Sequence, residues 1–125
     1  MVETALLALI REFRAAGKTM ILLGTAPALG LDVMLNEQRN IAFGLKFPPD
    51  PPRRAVETWQ ARSDALPRNV AGQSGISYVP IVHAMCGGCC RTRAGETLIY
   101  SDDDHLGPAG ALRFVAPLLS AQLVR

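Results

Sequence analysis

The chain has 125 residues, the length of one domain, and 49% of them are hydrophobic but only 6% aromatic, so a core can form and aliphatic packing must dominate it. A formal net charge of +2 is too small to argue for a nucleic-acid partner. No apolar run approaches the roughly 18 residues of a membrane span, and the start, with Glu3 and no basic segment, does not read as a signal peptide.

Residues 3–16 predict an amphipathic helix, with Leu6, Leu9, Ile10 and Phe13 on one face and Arg11, Glu12 and Arg14 opposite. Gly17 is the expected stop. Residues 19–24, Thr-Met-Ile-Leu-Leu-Gly, form an unbroken apolar run that suits a parallel strand buried on both faces. A helix followed by a buried strand points to α/β architecture. Gly24 to Gly30 is a βα loop shaped by glycine and proline; it contains no Gly-Asp-Ser, Gly-Lys-Ser/Thr or Gly-x-Gly-x-x-Gly and so implies no nucleotide cofactor.

Asp32 can cap a helix over 33–42 that carries Val33, Met34, Leu35 and Ile41. Phe47-Pro-Pro-Asp-Pro-Pro52 cannot be a helix or a central strand and is expected to be an extended surface spacer. Helical spacing resumes over 54–66, with Val56, Trp59 and Leu66 inward, and Pro67 ends it; Asn69 to Gly75 is then a turn-rich loop. Residues 76–80 form the second predicted strand, and His83 beyond it is expected to be structural.

All three cysteines lie in Cys86-Gly-Gly-Cys-Cys90. A disulfide from Cys86 to Cys89 or Cys90 is one reading. A redox Cys-x-x-Cys is another, disfavoured by Gly87 and Gly88, which do not suit a helix start. Zinc is the third, and it needs about four ligands where only three thiols and a distant His83 are offered. After a polar turn over 91–96, a short strand over 97–100 leads into Ser-Asp-Asp-Asp-His105. Gly107 and Pro108 then open a last helix to about Val124, expected to bury Leu112, Val115, Leu119 and Leu123 and to kink at Pro117.

An aspartate three residues before a histidine can fold back onto the ring. Asp102 is expected within hydrogen-bond distance of His105 Nδ1, fixing the tautomer and leaving Nε2 free to take a proton. Asp103 should face solvent and Asp104 should point away. Taken alone, three adjacent acids before a helix also read as a solvated capping turn. Their place between a strand and a helix is where sites sit in open α/β sheets.

The run Tyr100 to Ala111, Tyr-Ser-Asp-Asp-Asp-His-Leu-Gly-Pro-Ala-Gly-Ala, resembles the C-terminal block of SGNH hydrolases, and most of all the SGNH domains fused behind membrane acyltransferase domains. Their block reads roughly Tyr-x-Asp-x-x-His-Leu-Ser-x-x-Gly-Ala, with paired cysteines before it; Gly107 stands here where Ser is usual, which alters the helix cap. The resemblance implies an α/β fold of the three-layer α/β/α, flavodoxin-like kind, with residues 1–125 forming one incomplete α/β domain around a small parallel sheet. It implies that Asp102 and His105 are the acid and base of a Ser-His-Asp triad, and that a disulfide within Cys86, Cys89 and Cys90 suits an oxidising, periplasmic setting. The implied substrate is an acylated glycan or a small ester, the implied partner a membrane acyltransferase domain on the same parent chain.

The nucleophile is unknown. Ser63, Ser74, Ser77, Ser101 and Ser120 lack a nucleophile turn, and Asn36, Asn40 and Asn69 lack an oxyanion-hole context. The missing strands should leave an apolar sheet edge prone to self-association. The alternatives are a non-catalytic, truncated SGNH-like binding module and a metal or redox role for the cysteines.

Overall fold

A computed structural model describes residues 1–124. Helix α1 (Val2–Ala15) buries Ile10 against the rest of the chain. It stops in a Schellman turn: Gly17 takes φ +70°, its N–H reaches Arg14 O at 3.0 Å, and Lys18 N–H reaches Phe13 O at 2.8 Å. Strand β1 (Ile21–Leu23) pairs in parallel with β2 (Ser77–Val79), Leu22 opposite Tyr78. The parallel sheet is as expected, its burial is not. Ile21 and Leu22 are half-buried and Leu23 is exposed, because a sheet with two described strands cannot be covered like the interior of a larger one.

Asp32 caps α2 (Val33–Phe43) as the sequence indicates, its Oδ1 accepting from Leu35 N–H at 2.8 Å. Helix α3 (Arg53–Ser74) differs from expectation. It runs through Pro67 to a left-handed Gly75, so the loop predicted over 69–75 is helix. The proline removes only one intrahelical hydrogen bond. Burial of Val70 and Ala71 beyond it offsets that loss.

The inward face of α3 also differs. Val56 is fully buried and Leu66 half-buried, but Trp59 is 56% exposed and Gln60 is buried in its place. The indole instead leans on Gly30, where a Cβ would come within 3.0 Å of the ring. Helices α1 and α3 pack on each other, and α3 lies against both β1 and β2.

The proline-rich stretch is docked rather than a spacer. Pro51 is buried and its carbonyl accepts from Cys90 N–H at 2.8 Å, while Arg53 N–H donates to Gly88 O at 3.0 Å. Asp50 accepts from the Thr92 N–H at 3.1 Å and hydroxyl at 2.8 Å. Phe47 packs on the core with the Arg93 guanidinium 4.9 Å from its ring centre, and Arg93 also pairs with Glu37. Opposite this strap, after α4 (Val82–Met85), Cys86 is bonded to Cys90 and Cys89 is free and exposed. His83 is exposed and its Nδ1 accepts from Arg53.

The predicted strand over 97–100 is a hairpin arm. Strand β4 (Thr97–Leu98) pairs antiparallel with β3 (Arg93–Ala94) around a left-handed Gly95 and does not join the parallel sheet. The closing helix is α5 (Pro108–Gly110), a π turn (Ala111–Val115) and α6 (Ala116–Leu123). Pro117 follows the π turn, which supplies the irregularity expected as a kink and shifts the phase of the helix. Val115 and Leu119 are therefore half-buried as expected, whereas Leu112 and Leu123 are 72% and 80% exposed.

The buried cluster gathers Leu29, Val33, Val56, Ile81, Val82, Met85, Ile99, Tyr100 and the disulfide. It thus centres on the segments that leave the carboxyl ends of β1 and β2. Peptide mapping without reduction should show Cys86 joined to Cys90 and Cys89 alkylated. Reducing so short a loop should lower the unfolding free energy by about 2 kcal/mol, read from denaturant midpoints; full alkylation of all three thiols in the native, unreduced protein would overturn the assignment.

Candidate active site

The acidic turn is held at its base by two antiparallel strands of one residue each. Tyr100 bridges Leu106, Ser101 N–H donates to His105 O at 2.9 Å, and Gly107 N–H donates to Ile99 O at 2.8 Å. Within the turn the Asp102 carboxylate has two tasks. Its Oδ1 accepts the backbone N–H of Asp104 at 2.9 Å and of His105 at 2.7 Å; its Oδ2 lies 2.8 Å from His105 Nδ1. The two backbone bonds fix the carboxylate before it meets the ring.

These bonds hold the Asp102 carboxyl down at about 2, the two backbone N–H groups contributing most. In turn the Asp102 hydrogen bond and charge raise the His105 pKa, with Asp104 and Asp103 adding to the effect. The His105 side chain is 74% exposed, so Nε2 is open to a proton donor arriving from outside the turn.

Asp103 faces solvent as expected, and its carbonyl accepts from Leu29 N–H at 2.9 Å. Asp104 does not point away. Its Oδ1 lies 2.8 Å from the same Nδ1, although the ring N–H is directed at Asp102. The compact turn, drawn in by the bond from Asp104 N–H to Asp102, brings this second carboxylate over the ring edge.

Residues not singled out by the sequence complete the scaffold. Val33 N–H donates to Asp102 O at 3.3 Å, so the first turn of α2 and the loop before it close on the acidic turn. That loop is fixed in turn by α3: Gln60 accepts from Ala28 N–H at 3.2 Å and donates to Thr25 Oγ1 at 2.7 Å and Ala26 O at 3.0 Å, and Asp64 accepts from Thr25 Oγ1 at 2.8 Å. Gly110 lets the closing helix lie on Ile99. A Cβ there would stand 2.6 Å from Ile99 Cγ2 and closer still to the Ile99 carbonyl oxygen. It is the glycine of the Gly-Ala pair that ends the Tyr100–Ala111 run.

The serines are otherwise engaged or remote in sequence. Ser101 Oγ donates to His105 O at 3.1 Å and Ser63 Oγ to Gln60 O at 3.0 Å. No hydrogen bond among the described residues joins a serine hydroxyl to the His105 ring. Asn36 and Asn40 make local helix contacts, to Asp32 O and Leu45 O, each at 2.8 Å. Asp102, Asp104 and His105 offer three donor atoms within 4.8 Å of one another, the set a cation could use. Those atoms already satisfy one another on an exposed turn, which gives a metal no enclosed shell.

A family model described as "SGNH domain (fused to AT3 domains)" matches residues 1–120. No curated protein matches the chain. Among solved structures, a "lipopolysaccharide acetyltransferase periplasmic domain" from Salmonella ser. Paratyphi A is similar at TM-score 0.71 and 21% identity, over 98% of this chain and 49% of that one. The chain therefore spans about half the length of that neighbour, with which it shares the fold.

Gly110→Ala should destabilise the protein. Helix propensity alone would favour alanine by about 1 kcal/mol, but the Ile99 carbonyl is backbone and cannot rotate aside, and overpacking of this kind costs about 1–3 kcal/mol. A lower denaturant midpoint is the expected outcome; an unchanged midpoint would show that the helix can slide.

Proposed function

The chain belongs to the family of SGNH domains fused to AT3 domains, and we propose that it supplies the base and the orienting acid of an acyl-transferring serine site. Membership of this family supports a role in acyl-ester cleavage or acyl transfer. The observation that supports the assignment most is the 2.8 Å contact from Asp102 Oδ2 to His105 Nδ1, in a turn prepared by backbone bonds to the same carboxylate.

In this reading a serine hydroxyl, supplied by polypeptide outside these 125 residues, approaches His105 Nε2. The ring takes its proton as the oxygen attacks the acyl carbonyl, and Asp102 stabilises the imidazolium. The alcohol leaves with the proton returned by Nε2. Water or a sugar hydroxyl then attacks the acyl-serine, losing its proton to the same nitrogen; the acyl–serine bond breaks and the serine oxygen takes that proton back, which restores the neutral ring. We place the substrate among O-acyl, chiefly acetyl, esters of cell-envelope glycans, consistent with the acetyltransferase named for the structural neighbour. The Cys86–Cys90 disulfide suits an extracytoplasmic setting.

A second reading, a non-catalytic binding module, draws on the serines: Ser101, the one beside the base, is turned onto the carbonyl of His105. One experiment separates the two. The chain is joined to the remainder of its parent protein and assayed with a chromogenic acetyl ester. On the catalytic reading His105→Ala lowers kcat/KM by about 10²–10⁴-fold. The rate should rise as pH increases through the His105 pKa, since only the neutral ring accepts a proton, and that limb should lie above the usual histidine range because the pKa is raised. Activity indifferent to His105→Ala, or none in the parent protein, would defeat it.

A further inference from the structure

Taking His105 as the base on the reading above, we propose that Asp104 is a second positioning residue, so that Nδ1 is held protonated between two carboxylates that both face its N–H. Asp102 Oδ2 and Asp104 Oδ1 both lie 2.8 Å from that nitrogen. A lone aspartate would suffice to choose the tautomer, so the second contact calls for a separate account.

The two acids are held differently. Asp102 is pinned through Oδ1 by two backbone N–H groups, which leaves Oδ2 for the ring. Asp104 is anchored only by its backbone N–H, and its carboxylate, 52% exposed on the side chain, accepts no other hydrogen bond among the described residues. Asp102 is therefore the firmly held partner and Asp104 the less restrained one. When the ring is neutral, a single Nδ1–H can point to one acid at a time, and the bond to Asp102 is the directed one. When Nε2 gains a proton, the positive ring attracts both. Asp104 then stabilises the state in which the base has done its work, without touching the reacting atoms.

Other charged groups near the turn do not duplicate this. Asp103 is exposed and reaches the ring only through its charge. Asp32, which starts the helix that closes on the turn, is committed to Leu35 N–H.

The test is an NMR titration of His105 in the full chain, with His83→Gln used to assign the two rings. Asp104→Asn keeps the backbone N–H that binds Asp102 and removes only the charge; it should lower the His105 pKa. Asp102→Asn should lower it as well, and the double substitution further than either. Asp104→Glu should recover part of the loss. An unchanged titration in Asp104→Asn would overturn the proposal, as would a double variant no different from Asp102→Asn. Because Asp102→Asn also alters the turn, the Asp104→Asn and Asp104→Glu pair decides by itself. The readout needs no turnover: a shift by Asp104→Asn in a parent enzyme indifferent to His105→Ala would support the two-acid clamp and count against the catalytic reading.

Discussion

The structure depends on the junction between the acidic turn and the loop that leaves the first strand. Leu29 N–H and Val33 N–H both donate to carbonyls of that turn, from Asp103 and Asp102. Leu29 and Val33 are themselves almost fully buried. A buried N–H without a partner costs more than the net worth of an ordinary hydrogen bond, about 1–3 kcal/mol against about 1. The turn therefore satisfies the loop as much as the loop locates the turn. Each would be poorly determined without the other, because the acidic turn is exposed on its outer side and the loop contains no regular structure.

The same logic explains why polar groups occupy core positions. Gln60 sits on the inward face of α3 because it alone meets three polar atoms of the 25–28 loop. An apolar residue at that position would leave Ala28 N–H and Ala26 O to find other partners. From the surface, the exposed Asp50 likewise satisfies the buried Thr92, and the Pro51 carbonyl satisfies Cys90 N–H. The hairpin and the disulfide loop are thus strapped from outside by a segment with little capacity for regular hydrogen bonding of its own. Proline lowers the entropy lost in fixing such a strap, which is a physical reason for placing four prolines where the chain must lie extended.

What could be read in advance followed from short spacings. The Asp102–His105 pair spans one turn and the Asp32 cap one helical start, and both are local geometries that the residues themselves enforce. The parallel pairing of the two apolar runs was legible because their flanks read as helix and loop. Several departures come where distant packing outweighs a local signal, and two where local backbone geometry differs from the expected one. Pro67 is a strong local stop, yet Val70 and Ala71 are buried past it. Trp59 is the most hydrophobic-looking residue of its helix, yet Gly30 leaves a shelf for it on the surface. Leu112 lies outward because the π turn changes the helical period. Asp104 departs from the expectation that adjacent side chains point apart because its backbone bond to Asp102 curls the chain back.

On the proposed catalytic reading, His105 would be a base assembled before its nucleophile arrives, and the bonds around its ring fit that role. Every bond that orients the His105 ring comes from residues within the same turn, so its tautomer is set without help from the substrate side. The depressed Asp102 carboxyl means that this orientation is retained down to about pH 2 and is lost only as the acid protonates. The raised His105 pKa works in the other direction: the favourable pairing with a charged ring is complete below the ordinary histidine pKa of about 6.5 and fades as pH rises through the higher folded value. Between those limits the turn stores a proton; above the upper limit it can accept one. Both side chains are largely open to water, so this electrostatic coupling adds little to global stability. Its effect is confined to the ring, where holding Nδ1 protonated makes Nε2 the nitrogen at which a proton enters and leaves.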